Sequence, residues 1–268
     1  MKLIRKIGKR ILSSPLLRNY WHRYDAKLAK HIVPIADTRV TLSAPKRVVE
    51  IYNNDAHQGN LTGVDKEGRY EHAFATRFRD AIRPDTTLFD VGAHYGLYSI
   101  LAFQIMKPAK SGQIVSFEPN PFNSWVLRHN NCCYCKSYLT IENRKVGDKT
   151  QKDTISLDSY YVKAGIAPTL VKMDIEGFEY FAIQGMEKIC KEIRPVILME
   201  FHVRLMRHVL HVNPEKIIKL IESWNYRLRY NGHHWYTVQH TGEIDSNWHE
   251  TPPNDINFAL WAEPYRLN

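Results

Sequence analysis

The sequence predicts an α/β fold, a mostly parallel sheet with helices on both faces, and three observations predict it. From Thr86 onward, short apolar runs alternate with helical stretches, the pattern of strands joined by crossover helices. Four of these runs reach an acid at their carboxyl end: "TLFD" at Asp90, "IVSFE" at Glu118, "TLVKMD" at Asp174, and "VILMEFH" at Glu200 with His202 behind it. The first run leads into "DVGAHYG", whose glycines at 92 and 96 let the backbone come close to a ligand.

Residues 1–13, "MKLIRKIGKRILS", place Leu3, Ile4, Ile7 and Ile11 on one helical face and Lys2, Arg5, Lys6, Lys9 and Arg10 opposite. Ser14 and Pro15 end this short amphipathic helix, and a second basic segment runs to about Lys30. Residues 1–36 are therefore expected to form a basic extension, and 37–268 the main domain. Alternation over 37–52 predicts a hairpin, "NNDAHQGNLTG" a loop, and residues 69–82 a helix. Strands are expected at 86–91, 113–118, 138–142, 168–174 and 195–202. Helices are expected near 96–107, 121–131, 177–190 and 214–224. "YRLRYNGHHWYTVQ" reads as two strands about a turn at Asn231-Gly232, and "INFALWAEP" as a last strand.

The 268 residues suffice for a sizeable core, and 44% hydrophobic with 24% charged residues is ordinary for a soluble globular protein. The net charge of +9 is unevenly placed: residues 1–30 hold nine Lys/Arg against Asp25, which leaves 28 basic and 27 acidic residues elsewhere. A neutral body without a basic stripe of stacking aromatics speaks against nucleic acid. Three of the four cysteines crowd into "NCCYC", unlike a secreted disulfide framework, so a reducing, cytoplasmic location is expected. Cys132 and Cys135 have zinc-type spacing but no second pair to complete a tetrahedral site. No apolar run approaches the ~18–20 residues of a membrane span, and the N-terminus lacks a signal-peptide core. The basic tail suits peripheral attachment to an anionic cytoplasmic membrane face, while packing against the protein's own body would explain its apolar face equally well.

In a parallel sheet the four acids gather along one edge, where open α/β sheets bind ligands. Each acid could instead favour the dipole of the helix it precedes, a reading that fits Glu176 and Glu179 especially. The glycine turn has G-x-x-x-G spacing rather than the G-x-G-x-x-G that approaches a pyrophosphate. Glu118 is placed to accept two ribose hydroxyls. A nucleoside without phosphate suggests S-adenosylmethionine.

"LFDVGAHYGLYS", "SFEPNPFNSWVLRHN", "TISLDSYY", "TLVKMDIEGFEYFAIQGM" and "RPVILMEFH", in this order, resemble the FkbM-type family of S-adenosylmethionine-dependent methyltransferases. The resemblance covers about residues 69–202. It implies a Rossmann-like class I methyltransferase fold with a seven-stranded sheet whose last strand is antiparallel, a cofactor half at 69–160 and an acceptor half at 161–268. It also implies O-methylation of hydroxyls on glycans, glycolipids or polyketides. Carried over by motif, Asp90, Gly92, Ala93 and Gly96 would line the methionine and ribose side, Glu118 would hold the ribose, and Asn143 and Asp148 would lie near the adenine. Glu71 would meet the cofactor's amino group, and His94 stands where the family usually has Asn.

A hydroxyl acceptor must lose a proton, to a positioned base or with the help of a metal. Strand alternation puts Lys172 and Asp174 on one face, and Glu200 and His202 on one face of the next strand. His202, with an ordinary pKa of about 6.5, is the expected general base. Asp174 is the second candidate, as base or orienting acid. Asp174 with Glu200 could instead hold a divalent cation, and Lys172 could neutralise these acids or bind an acidic substituent. Two other functions fit the same chain: a degenerate methyltransferase fold recruited as a binding module through its basic tail, and a nucleic-acid methyltransferase.

Overall fold

A computed structural model describes residues 28–45, 71–106, 112–232, 240–245 and 258–265. The amphipathic helix expected at 1–13 lies outside them. Strands β1 (Leu28–Ile35) and β2 (Thr38–Pro45) form an antiparallel hairpin in which Ile35 faces Thr38 across Ala36-Asp37. Both turn residues have positive φ, 48° and 56°, as a two-residue hairpin turn requires. The hairpin thus sits ahead of the 37–52 expected for it, because its turn carries neither Gly nor Asn to announce it. Arg79 donates to Ala36 O at 3.0 Å and to Asp37 Oδ2 at 2.7 Å and so ties the turn to helix α1 (His72–Ala81).

The main body follows as β3 (Thr87–Val91), α2 (Leu97–Met106), β4 (Gln113–Phe117), α3 (Pro121–Tyr134) and β5 (Thr140–Glu142). Asn120 caps α3 by accepting from Phe122 N and Asn123 N, with Pro121 at the first helical position. Next come the short parallel pair β6 (Lys145–Val146) and β7 (Thr154–Ile155), and α4 (Leu157–Ala164). Helix α4 was not expected, although Ser156 caps its start and Gly165, at φ 68°, its end.

The chain then forms β8 (Leu170–Met173), α5 (Glu179–Gln184), α6 (Glu187–Glu192), β9 (Val196–Phe201), α7 (Val203–His208) and α8 (Glu215–Ser223). The single helix expected at 177–190 is therefore two. Gly185 breaks it where the β6 segment crosses: a Cβ there would sit 2.1 Å from Gly147 O. Asp158 then caps α6, accepting from Lys188 N at 2.9 Å and Ile189 N at 2.8 Å. Strands β10 (Tyr226–Gly232), β11 (His240–Glu243) and β12 (Phe258–Pro264) complete the fold. Asn231 and Gly232 pair with Thr241 and His240 inside strands, so the expected turn does not fall on them.

The large sheet has the order β11-β10-β12-β9-β8-β3-β4-β5. Strands β5, β4, β3, β8 and β9 are parallel, and β12 runs antiparallel to both β9 and β10. This is the α/β fold that the resemblance implies, with β11 as an eighth strand added beside β10. The chain enters the sheet at β3, proceeds to β4 and β5, and returns on the other side as β8 and β9. Strand order reverses between β3 and β8, and a crevice opens there at the carboxyl ends.

Strand alternation divides the core. Phe89, Val91, Val115, Phe117, Val171, Met173, Ile197 and Met199 face one layer, with Ile183, Ile189 and Ile217 from the helices. Leu88, Ile114, Leu170 and Leu198 face the other, under Phe78, Leu101 and Leu127 and the hairpin residues Val40 and Leu42. All of these side chains are almost fully buried.

Candidate active site

The four acidic strand ends do converge on the switch point. Gly92 leaves β3 at φ 79°, and a Cβ on it would lie 1.8 Å from Asp174 O. Only glycine lets these two strand ends approach so closely. Gly92 N and Ala93 N both donate to Phe117 O, at 3.0 and 3.1 Å, and pin the turn to β4. Gly96 serves packing: a Cβ there would strike Leu127 Cδ1 of α3 at 2.6 Å.

Above this turn lies a cavity of about 410 Å³, walled by Glu71, Gly92, Ala93, His94, Glu118 and Asp174 together with Leu42, Tyr98, Asn123 and Lys172. Gly92, Pro119 and Ile175 also belong to a second, apolar cavity of about 200 Å³ lined by Val91, Phe117, Val146 and Phe178. Together they are of the size of a small-molecule site.

Glu118 is 5% exposed. Its Oε2 accepts His94 N–H at 2.8 Å, and its Oε1 accepts Asn120 N–H at 2.8 Å with the Asn123 amide at 3.5 Å. Burial pushes its carboxyl up, opposed by those donors and by the Lys172 charge. A carboxylate has about four acceptor positions, and with three taken Oε2 keeps one for a further hydroxyl. His94 itself has φ 50°, and its ring lies 3.8 Å from that of Tyr95. The surrounding protein pushes its imidazole down to about 4. The ring is nevertheless open to solvent, and either way it is neutral near pH 7.

Glu71 is buried in the cavity wall, where Tyr98 donates its hydroxyl to Oε2. Burial, and then the Glu71 charge, push the Tyr98 hydroxyl well up, so it remains a donor. Asp90 does not reach the cavity. Wholly buried behind it, Asp90 accepts from Ser99 Oγ at 2.6 Å and pairs with Lys172 Nζ at 3.3 Å. Lys172 also donates to Gly92 O at 3.0 Å and stands 3.9 Å from Asp174. Burial lowers its pKa, but Asp90, Asp174 and Glu71 more than restore it, and the ammonium stays charged. With those contacts made, Lys172 braces β3 against β8 at the cavity wall.

Asn143 and Asp148 line neither cavity. Asn143 lies behind Glu118, donating to Ser124 Oγ and, at 3.4 Å, to Glu118 O, and it accepts from Arg128. Asp148 is exposed in the bend after β6. Arg144, Lys145 and Val146 take the expected place of these two residues beside the apolar cavity.

At the far end, Asp174 and Glu176 line the cavity while Glu200 and His202 stand behind them. His202 is 2% exposed. Its Nδ1 meets Glu179 Oε1 at 2.9 Å, and its Nε2 faces Glu200 at 3.2 Å, Glu176 at 3.6 Å and Asp174 at 3.9 Å. Burial lowers its pKa, but the hydrogen bonds to Glu179 and Glu200, and their charges, carry it above the ordinary value. Burial and Asp174 likewise push Glu200 up, opposed by His202. His202 therefore holds its proton at neutral pH, and the ordinary pKa that recommended it as general base does not survive its surroundings. Asp174, by contrast, is half-buried and lines the cavity wall. Asp174, Glu200 and His202 also offer three ligand atoms within 4.8 Å of one another, a spacing suited to a divalent cation.

Tyr98 and Asn123 line the cavity and lie within quoted motifs, but nothing in those motifs singled them out. Glu179 had a signal, the acid spacing of "DIEGFE", but a helix start explained it equally well. The four cysteines are free thiols.

Residues 136–228 match the model of the methyltransferase FkbM domain family. The FkbM resemblance is thereby shown. The match contains "TISLDSYY", "TLVKMDIEGFEYFAIQGM" and "RPVILMEFH" and leaves the glycine turn and Glu118 outside it. Among solved structures, a methyltransferase FkbM from Methylobacillus flagellatus is similar at 17% identity and TM-score 0.45, over 81% of this chain and 59% of that one. A precorrin-6y C5,15-methyltransferase from Geobacter metallireducens is similar at 16% identity and TM-score 0.44, over 70% of this chain and 85% of the other. A SAM-dependent O-methyltransferase from Thermotoga maritima follows at 8% identity and TM-score 0.41, over 89% and 78%. Likeness at this level says nothing of the acceptor. No curated protein matches.

The residues present fit S-adenosylmethionine. Glu118 keeps an acceptor position for a ribose hydroxyl, buried Glu71 offers a partner to an ammonium, and the apolar cavity beside Phe117, Val146 and Phe178 suits a flat base.

Proposed function

We propose that the chain is an S-adenosylmethionine-dependent O-methyltransferase acting on a hydroxyl of an uncharged or cationic carbohydrate or glycolipid-type acceptor. One observation carries the reading: Glu118, on two backbone N–H groups, shares a cavity at the switch point with Asp174 opposite it. The cofactor when bound supplies an activated methyl electrophile. Glu118, Glu71 and the glycine turn hold and orient it. Asp174 would take the acceptor's hydroxyl proton, and Lys172 and His202 keep Asp174 in place by charge.

The electrostatics of the described cavity bear on the acceptor. Glu71, Glu118, Asp174 and Glu176 line it, and the charge of Lys172 is spent on Asp90 and Asp174. A polyanion would meet repulsion there, which speaks against a nucleic-acid acceptor. The cluster of Asp174, Glu200 and His202 supports a second reading of the proton step, in which a divalent cation displaces the proton of His202 Nε2, is held by these three residues and lowers the acceptor's pKa. A degenerate binding module would lack either step.

Residues 1–27, with their basic and aliphatic faces, support attachment to an anionic cytoplasmic membrane surface, where a lipid-linked glycan would be met. Among the described residues no helix is long and apolar enough to cross a membrane. Incubation with labelled cofactor and a panel of glycan, lipid-linked and RNA acceptors, with and without a chelator, tests the proposal. Label on a glycan hydroxyl is the expected result. Label on RNA alone, or on nothing despite tight cofactor binding, would overturn it.

A further inference from the structure

Glu179 is wholly buried and lines neither cavity. One of its oxygens, Oε1, accepts three N–H groups: His202 Nδ1 at 2.9 Å, Gly177 N at 3.2 Å and Ile175 N at 3.3 Å. The first comes from the end of β9, and the other two from the loop that leaves β8 with Asp174 and Glu176. A single carboxylate oxygen thus joins the two strand ends of the acceptor half. The loop is shaped for this: Glu176 and Gly177 have φ of 55° and 94°, and a Cβ on Gly177 would strike Leu205 Cβ of α7 at 2.8 Å. A residue that only favoured a helix dipole would face solvent at the first turn. Glu179 instead faces inward and back along the chain.

We propose that Glu179 is the positioning residue of the acceptor end. It fixes the imidazole of His202 by its Nδ1–H, so that Nε2 is the atom presented to Asp174 and Glu200, and it locks the loop that carries Asp174 into the cavity wall. Without it the ring could turn over and present either nitrogen. The inference rests on the methyltransferase reading only in treating Asp174 as the group that meets the acceptor, since the bonds themselves involve no ligand. An orienting carboxylate of this kind typically changes activity about 10- to 100-fold through the histidine it holds.

The test is nitrogen-resolved NMR of the full chain labelled in its histidine rings, with His202→Gln assigning the His202 signals. In the native protein a hydrogen-bonded Nδ1–H of His202, protected from solvent exchange, is expected. Glu179→Ala removes the oxygen that accepts all three N–H groups. It should abolish that protected signal in a folded protein and leave S-adenosylmethionine affinity by calorimetry unchanged. Should the Ala variant not fold, Glu179→Asp, which draws the carboxylate back by one methylene, should show the same loss. Unaltered His202 signals in either folded variant overturn the proposal. A native protein that has the protected signal but binds no cofactor would instead sink the methyltransferase reading and leave this one standing.

Discussion

Carboxylates set the protonation of the acceptor end residue by residue. His202 has a folded pKa above its ordinary 6.5, because the charges and hydrogen bonds of Glu179 and Glu200 outweigh burial. Below about pH 6.5 folded and unfolded chains both hold the proton, and the full stabilisation is present. Above it the unfolded chain releases the proton first, so stability falls as pH rises through the folded pKa. The upward shift of Glu200 acts in the same direction. Melting temperature should therefore decline from about pH 6.5 into the alkaline range, and His202→Asn should flatten the decline; equal slopes for both proteins would show that His202 is not charged by its neighbours. The acids themselves were legible in the sequence, since each closes an apolar run. Which of them faces the cavity was not. Asp90 and Asp174 both stand near strand ends, yet Asp90 lies within β3, paired with Lys172 and buried behind it, while Asp174 lies just past the end of β8 and lines the wall.

Elements cover the site as well as carry it. The β1–β2 hairpin brings Leu42 into the cavity wall and is fastened by Asn130, a fully buried residue of α3. Asn130 accepts from Ser43 N at 2.8 Å and donates to Ser43 O at 2.9 Å and Tyr95 O at 2.8 Å, so one amide ties hairpin, helix and glycine turn together. Asn130→Ala leaves those backbone groups without partners. It should lower unfolding free energy by about 1–3 kcal/mol and speed amide exchange in residues 38–45, measured by urea titration and hydrogen exchange; unchanged hairpin protection would refute the fastening. The parallel strands and most helices were legible because apolar period and capping residues agreed. The hairpin was displaced because Ala36-Asp37 gives no glycine signal, and the helix at 177–190 was read as one because Gly185 answers to a distant backbone, that of Gly147. Nothing local records such a crossing.

For the whole molecule, charge is placed unevenly along the chain. The body is neutral and the N-terminal residues are basic. Each basic residue near an anionic surface adds about 1 kcal/mol, screened over roughly 8 Å at physiological salt. The full chain should co-sediment with anionic vesicles at low salt and release at high salt. Removing residues 1–27, which spares β1, should abolish the binding, and equal binding by both chains would return the tail to the protein's own surface. The site's place was legible from the acids alone, since any parallel sheet gathers its strand ends at one edge. That Glu118 is held by the N–H groups of His94 and Asn120 was not legible, since only the folded turn brings these together. The central claim, that this edge holds S-adenosylmethionine, is tested most directly by calorimetric titration of that cofactor into the native chain and into Glu118→Ala. One-site saturable binding is predicted, weakened by about 1.5–3 kcal/mol, roughly 10- to 150-fold, in the variant. Absence of binding by the native chain, or equal affinity in a folded variant, would contradict the account.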